Sequence, residues 1–179
     1  MNHAVIPAPA RFDAGDGPGF AFRPGAVVAY ADTPIAPLVG RFCAQVARRT
    51  GQRLAPIQGN RAPDEPSVTI ELAAPDEPGG LPAPAGLSPD GGDPAAERYS
   101  LLIEAGRIVV RATEPVGVAR GLTTLLQLAA SAGQAGTGQA GAGQASAGEI
   151  RVPAARILDA PRYAWRGLSL DVARTFFTV

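Results

Sequence analysis

The sequence predicts an α+β domain, and three observations carry that prediction. Two stretches repeat apolar residues at the three-and-four spacing of a helix with one buried face, and several shorter ones alternate apolar with polar residues as strands do. The chain has 179 residues, enough for one ordinary domain with a real core and too few for two large ones. A last run of strand character, beginning at Trp165, has no later element in the sequence to cover it.

The elements follow in order. Phe20-Ala21-Phe22 and Ala26-Val27-Val28-Ala29-Tyr30 are extended and broken by Pro24-Gly25, which predicts a first strand or a hairpin. Asp32 or Thr33 then caps a helix with Pro34 in its first turn, and Ile35, Leu38, Val39, Phe42, Cys43 and Val46 share one face. Arg48 and Arg49 oppose the negative end of the helix dipole, and Gly51 tolerates the positive φ that ends the helix. Val68, Ile70 and Leu72 alternate with Thr69 and Glu71, the pattern of a strand with one buried face.

Pro75 to Pro94 is rich in Pro, Gly and Asp and reads as a surface loop. Tyr99–Glu104 and Arg107–Ala112 are joined across Ala105-Gly106, which predicts an antiparallel hairpin. A second helix starts near Glu114-Pro115, with Val118, Leu122, Leu125, Leu126 and Ala129 on one face. Gly117 and Gly121 weaken it by about 1 kcal/mol each relative to Ala, which predicts a close approach of helix to sheet as compensation. From Ser131 to Gly148 the chain becomes a Gly/Ala/Gln repeat without charge or large apolar groups, so a mobile loop is expected over 131–148. Ile150 to Val152 and Ile157 to Pro161 resume an extended path.

Composition bounds the function classes. Sixteen acidic residues balance sixteen basic ones, so no polyanion partner such as nucleic acid is indicated. Every one of those basic residues is Arg, which reads as compositional bias alongside the abundant Ala, Gly and Pro. No apolar stretch approaches the roughly twenty residues that span a bilayer, so no membrane role and a soluble chain are expected. Asn2, His3, Pro7 and Pro9 interrupt what would be a signal core, which makes the chain as written cytoplasmic by default. Cys43, the single Cys, has no partner within the chain and falls on the apolar face of the first helix, where it reads as a buried thiol.

No arrangement of nucleophile and base stands out. His3 is the sole His and reads as a solvated residue; no Cys or His cluster has metal-ligand spacing, and no Gly-rich stretch carries the phosphate-binding pattern. Neither cofactor nor metal is therefore expected. In the final run Leu168, Leu170 and Val172 alternate with Gly167, Ser169 and Asp171, a strand whose small face suits close packing in a parallel barrel. Its backbone groups, and Phe176 and Phe177 after it, need partners that this chain does not supply.

The run Asp159-Ala160-Pro161-Arg162-Tyr163-Ala164-Trp165-Arg166-Gly167-Leu168-Ser169-Leu170-Asp171-Val172-Ala173-Arg174-Thr175-Phe176-Phe177 resembles the opening of the catalytic barrel of glycoside hydrolase family 20 β-N-acetylhexosaminidases, typically D-x-P-R-[YF]-x-W-R-G-x-x-L-D-x-x-R-H-[FY]. Upstream, Val5-Ile6-Pro7-Ala8-Pro9 looks like that family's opening Pro motif. Tyr99-Ser100-Leu101, Val109 to Ala112, Gly117, Arg120-Gly121-Leu122 and Leu126-Gln127-Leu128 resemble its accessory domain.

The resemblance implies an accessory α+β domain over 1–158, built as an antiparallel sheet with two helices on one face. It further implies that 159–179 begins a (β/α)8 barrel that is incomplete here. Arg174 is implied to bind hydroxyls of the terminal sugar, where a guanidinium fork can grip two neighbouring hydroxyls. For Arg166 and Asp171 a structural ion pair is expected instead.

The implied activity is removal of terminal β-linked N-acetylglucosamine or N-acetylgalactosamine by a substrate-assisted retaining route. In that route the 2-acetamido group attacks the anomeric carbon, helped by an Asp-Glu pair. That pair matches nothing in residues 1 to 179, so catalytic residues are expected to be absent from this segment and the segment inactive alone. The expected partners are an N-acetylhexosamine-containing oligosaccharide or glycoconjugate and the remainder of the barrel. Two features depart from the family: Thr175 stands where His is common, and Thr178 where Pro or Gly is frequent. In the family, periplasmic or secreted placement is also met. The alternative is a non-catalytic interaction module on the same accessory fold. A third reading, the O-GlcNAcase-like group, opens its barrel with R-G-x-x-E-G-x-Y-G, which Leu170-Asp171-Val172-Ala173-Arg174 does not match.

Overall fold

The apolar stripe of the first helix is what organises the first half of the chain. Val39, Phe42, Cys43 and Val46 are all buried on one side of α1 (Ala36–Thr50), and Ile35 just before it is buried too. A 3-10 turn at Thr33–Ile35 leads into it, and the Asp32 side chain makes no capping bond, so entry is set by Pro34 and the turn rather than by the expected cap. Gly51 ends the helix at φ +75 with its N–H on the Ala47 carbonyl, as the sequence predicts. The structure, a computed structural model, describes residues 5–59, 67–75, 81, 84–86, 93–135 and 150–167.

Nine strands are seen among these residues. Seven form one sheet: β1 (Arg11–Ala14), β3 (Val27–Tyr30), β4 (Ala55–Gln58), β5 (Ser67–Leu72), β6 (Tyr99–Ile103), β7 (Arg107–Ala112) and β9 (Ala155–Asp159), in the order β1-β9-β6-β7-β5-β3-β4. The sheet is mixed, which corrects the expected antiparallel one. β4, β3, β5 and β7 run parallel, whereas β6, β9 and β1 alternate in direction. The reason is the connection: α1 carries the chain from the end of β3 back to the start of β4, and a helical crossover returns a strand parallel to the one it left. The predicted β6–β7 hairpin is present, with Ile103 opposite Ile108 and the Glu104 N–H on the Arg107 carbonyl.

The remaining pair, β2 (Phe20–Phe22) and β8 (Ile150–Val152), forms a separate antiparallel ribbon. The extended stretch from Phe20 to Tyr30 is therefore neither one strand nor a hairpin, because β2 and β3 belong to different sheets. Phe20 and Phe22 are fully buried and meet edge to face at 5.1 Å between ring centres.

Helix α2 (Pro115–Ala135) packs on α1, on β6 and β7, and on β8. It continues five residues into the stretch expected to be a loop from Ser131, since Ala-rich sequence can extend a helix already anchored by packing; the rest of the expected loop, 136–148, lies outside the described residues. Gly117 and Gly121 sit where the helix touches the sheet. A Cβ at 117 would lie 2.5 Å from the Arg98 carbonyl oxygen, and one at 121 would lie 2.8 Å from Val110 Cγ1. The core fills the space between the sheet and the two helices, with Leu101, Ile108, Val110, Leu125 and Ile157 wholly buried.

The last described residues, Trp165 to Gly167, are in no strand, and 168–179 lie outside the described residues, so the expected opening strand of a barrel is not among the elements seen.

Candidate functional site in the groove around residues 159–167

Strand β9 ends at Asp159, and the chain then crosses a groove of about 510 Å³ between α2, the segment 5–8 and the end of the Pro94–Glu97 turn. Among its lining residues are Ile6, Glu97, Tyr99, Arg120, Gln127, Asp159, Tyr163 and Arg166. Three kinds of contact fix the groove's walls.

The first is a polar knot at its floor. The Tyr99 hydroxyl lies 2.6 Å from Thr124 Oγ1 and donates to Asp159 Oδ2 at 3.2 Å. The other Asp159 oxygen accepts the Ala10 N–H at 2.9 Å. Burial, reinforced by the Asp159 charge, pushes the Tyr99 hydroxyl well above the usual phenol range, so it stays protonated as a donor. It ties β6 to α2 and to the end of β9.

The second is peptide-like pairing at the chain start. Gln127 on α2 accepts the Ile6 N–H at 2.8 Å and donates its amide to the Ile6 carbonyl at 2.9 Å. The third is ionic. Glu97 accepts from Arg120 Nε at 2.6 Å with one carboxylate oxygen and from Arg166 Nη2 with the other. Arg166, expected to make a structural ion pair, does so with Glu97. The 159–167 segment is also pinned from a second side, where Ala85 donates to the Arg162 carbonyl at 2.9 Å and accepts from Ala164 at 2.8 Å.

Two of the groove's lining residues are large, exposed hydrophobic side chains, Ile6 at 79% and Tyr163 at 62%, and Trp165, two residues further along the chain, is 63% exposed.

Several expected residues take their places here and others do not. Arg174, the predicted sugar-binding residue, lies outside the described residues with Asp171 and Thr175, as does His3. Cys43 is buried, with its thiol held above the usual range by desolvation, as befits a packing residue. Among the described residues no group of three or more His, Cys, Asp or Glu could hold a metal, and no helix is long and apolar enough to cross a membrane. Glu97 went unnoticed in the sequence, since a single acid beside a loop carries no periodic signal. Gln127 was legible only within Leu126-Gln127-Leu128, and nothing local pointed to its partner 121 residues away.

Comparison with known proteins supplies the rest. Residues 2–160 match the family described as glycosyl hydrolase family 20, domain 2. A β-N-acetylhexosaminidase of Cellulomonas fimi is 33% identical over 98% of this chain, and the chain spans 30% of that relative's length. The N-acetyl-β-hexosaminidase of Streptomyces plicatus, solved in complex with Thio-NAglucal, superposes with a TM-score of 0.68 at 29% identity, over 97% of this chain and 29% of that one. An exo-β-N-acetylglucosaminidase of Vibrio harveyi, in complex with N-acetylglucosamine, shares the fold with a TM-score of 0.67 at 19% identity, over 98% of this chain and 22% of that one. A match of the domain 2 profile over nearly the whole chain, with relatives of one kind behind it, places this chain in glycosyl hydrolase family 20.

Proposed function

We propose that this chain is the accessory domain, residues 1–158, and the start of the catalytic barrel, residues 159–179, of an exo-β-N-acetylhexosaminidase. The parent enzyme removes terminal β-linked N-acetylglucosamine or N-acetylgalactosamine from oligosaccharides or glycoconjugates. Its route is substrate-assisted, with the acetamido oxygen as nucleophile and retention at the anomeric carbon. The observation that carries this reading is the 33% identity to a β-N-acetylhexosaminidase across 98% of the chain; the specific run from Asp159 to Phe177 supports it.

In this reading Arg174 grips hydroxyls of the terminal sugar, and the Asp-Glu pair that steers the acetamido group and protonates the leaving oxygen is supplied from outside residues 1–179. The exposed Ile6, Tyr163 and Trp165 then face the remainder of the barrel. The segment alone has no activity.

The test is an assay on a chromogenic β-N-acetylglucosaminide and its galactosamine epimer, using the 179-residue chain and a full-length enzyme that contains it. Turnover by the full-length enzyme alone is expected, with KM raised on Arg174→Ala. Comparable turnover by the 179-residue chain, or none by the full-length enzyme, overturns the reading.

A further inference from the structure

The chain's zero net charge hides a separation. From Phe20 to Gln58 five arginines, Arg23, Arg41, Arg48, Arg49 and Arg53, stand against one acid, Asp32. The fold gathers the last four on α1 and the turn beyond it. Arg41 and Arg48 are two turns apart, about 10 Å along the axis, and point away from the buried stripe of the helix. Arg49 follows in the last turn, and Gly51 turns the chain so that Arg53 leads into β4. The Arg53 carbonyl accepts the Gly25 N–H at 3.0 Å, which brings the turn after Arg23 alongside. Asp32 stands at the other end of the helix. Elsewhere exposed arginines find an acid, as Arg11 does in Asp13, Arg107 in Glu104 and Arg120 in Glu97. Arg41, Arg48, Arg49 and Arg53 are exposed as well, and among the described residues none of the four has such a partner.

We propose that this face of α1 binds a linear anionic polysaccharide, one that carries carboxylates or sulfates along its length. A guanidinium fork offers such a group two parallel hydrogen bonds, and several in a row match a polymer better than a single ion. What else the face presents selects among polyanions. Besides the arginines, the exposed residues of α1 are Pro37, Gly40 and Ala44, small groups that leave room for a chain to lie along the helix. The one aromatic residue from 31 to 58 is Phe42, which is buried, so unpaired nucleobases have nothing to stack on. No large apolar side chain of α1 is exposed, so the helix has nothing to insert into a lipid surface. The preference for a glycan rests on the hydrolase reading above, whereas attraction of a polyanion does not.

The place of this face in the fold keeps it apart from the groove. α1 packs beside β3 and β4, and β4 is an edge of the sheet. β9, from which the chain enters the groove, is five positions away in the strand order, roughly 24 Å at about 4.8 Å per strand. A polymer held on α1 therefore leaves the groove free. Its role is retention: tethering one part of a glycan raises the local concentration of its ends around the enzyme.

The experiment measures binding of chondroitin sulfate to the 179-residue chain and to the full-length enzyme, with duplex DNA and phosphatidylserine vesicles as competing polyanions. The test variant carries Arg41→Gln, Arg48→Gln and Arg53→Gln together. The control carries Arg11→Gln, Arg107→Gln and Arg156→Gln, which remove the same charge from β1, β7 and β9. All six residues are exposed, so both variants are expected to melt within a few degrees of the wild type. Expected is binding of chondroitin sulfate by the wild type that weakens about tenfold between 50 and 200 mM salt. The test variant should bind about tenfold or more weakly at the lower salt and lose most of that salt dependence, with the control within roughly twofold of the wild type. Undiminished binding by the test variant, an equal loss in the control, or tighter binding of DNA or vesicles than of the polysaccharide overturns the proposal. Binding lost in the test variant alone, with no turnover by the full-length enzyme on a chromogenic β-N-acetylglucosaminide, supports the polyanion face and sinks only the hydrolase reading.

Discussion

The side-chain amide of Gln127 hydrogen-bonds both the N–H and the carbonyl of Ile6, so α2 treats the start of the chain as a neighbouring strand would. Through this one residue a helix deep in the fold holds a segment 121 residues away, at the edge of the groove that carries Tyr163 and Arg166.

Replacing Gln127 by Glu keeps the acceptor for the Ile6 N–H but sets a carboxylate oxygen against the Ile6 carbonyl. Exposed hydrogen bonds are worth about 0.5–1.5 kcal/mol each, and the loss is expected to be local. The amide of Ile6 should exchange with solvent at least severalfold faster in Gln127→Glu, while core amides in β6 and β7 keep their protection. Hydrogen exchange read by mass spectrometry checks this, and unchanged exchange at Ile6 would refute the role given to Gln127.

The glycines of the two helices give opposite expectations. A methyl at 117 meets the Arg98 carbonyl oxygen at 2.5 Å and Ala112 Cβ at 2.7 Å, whereas one at 40 meets nothing within 4 Å. Overpacking of this kind costs about 1–3 kcal/mol, more than the propensity gained, so Gly117→Ala should lower Tm by several degrees. Gly40→Ala, on the exposed side of α1, should raise stability by about 0.5–1 kcal/mol, or roughly 1–4 °C. Thermal melts of the two variants decide the matter, and a stabilised Gly117→Ala would contradict the close approach of α2 to the sheet.

Alkaline stability isolates Tyr99. Burial raises its pKa above the ordinary 10.0, so between that value and the folded one the unfolded chain loses the proton while the folded chain keeps it. The stabilisation is thus complete below about pH 10 and is lost as pH rises beyond it. Lys is absent from the sequence, and Cys43, also raised by burial from 9.0, is the other buried contributor on that limb. Tyr99→Phe should be less stable at neutral pH by about 1–3 kcal/mol, because Thr124 and Asp159 lose a buried partner. Its decline above pH 10 should also be shallower than that of the wild type. Parallel melting curves from pH 8 to 11 with identical slopes for both would show that Tyr99 does not carry this dependence.

Much of the fold was legible because its signals are local. The stripe from Ile35 to Val46, the Gly51 stop and the β6–β7 hairpin each depend on residues within one or two turns of one another, and each is in place. The close approach at Gly117 and Gly121 was legible too, since two costly glycines in one helix need a packing reason. Strands β1 and β4 gave no such signal: they lie at the two edges of the sheet, their residues are mostly exposed, and Pro56 sits within β4.

The sequence by itself determined the helices, the hairpin, the α+β class and the kinship with family 20, because periodicity and a long motif are properties of neighbouring residues. Only the tertiary structure decided that the sheet is mixed, that Phe20–Phe22 pairs with Ile150–Val152, and that Glu97 joins Arg120 to Arg166. Strand direction and ion pairing across 69 positions are settled by which surfaces the folded chain brings together, and no local pattern encodes that meeting.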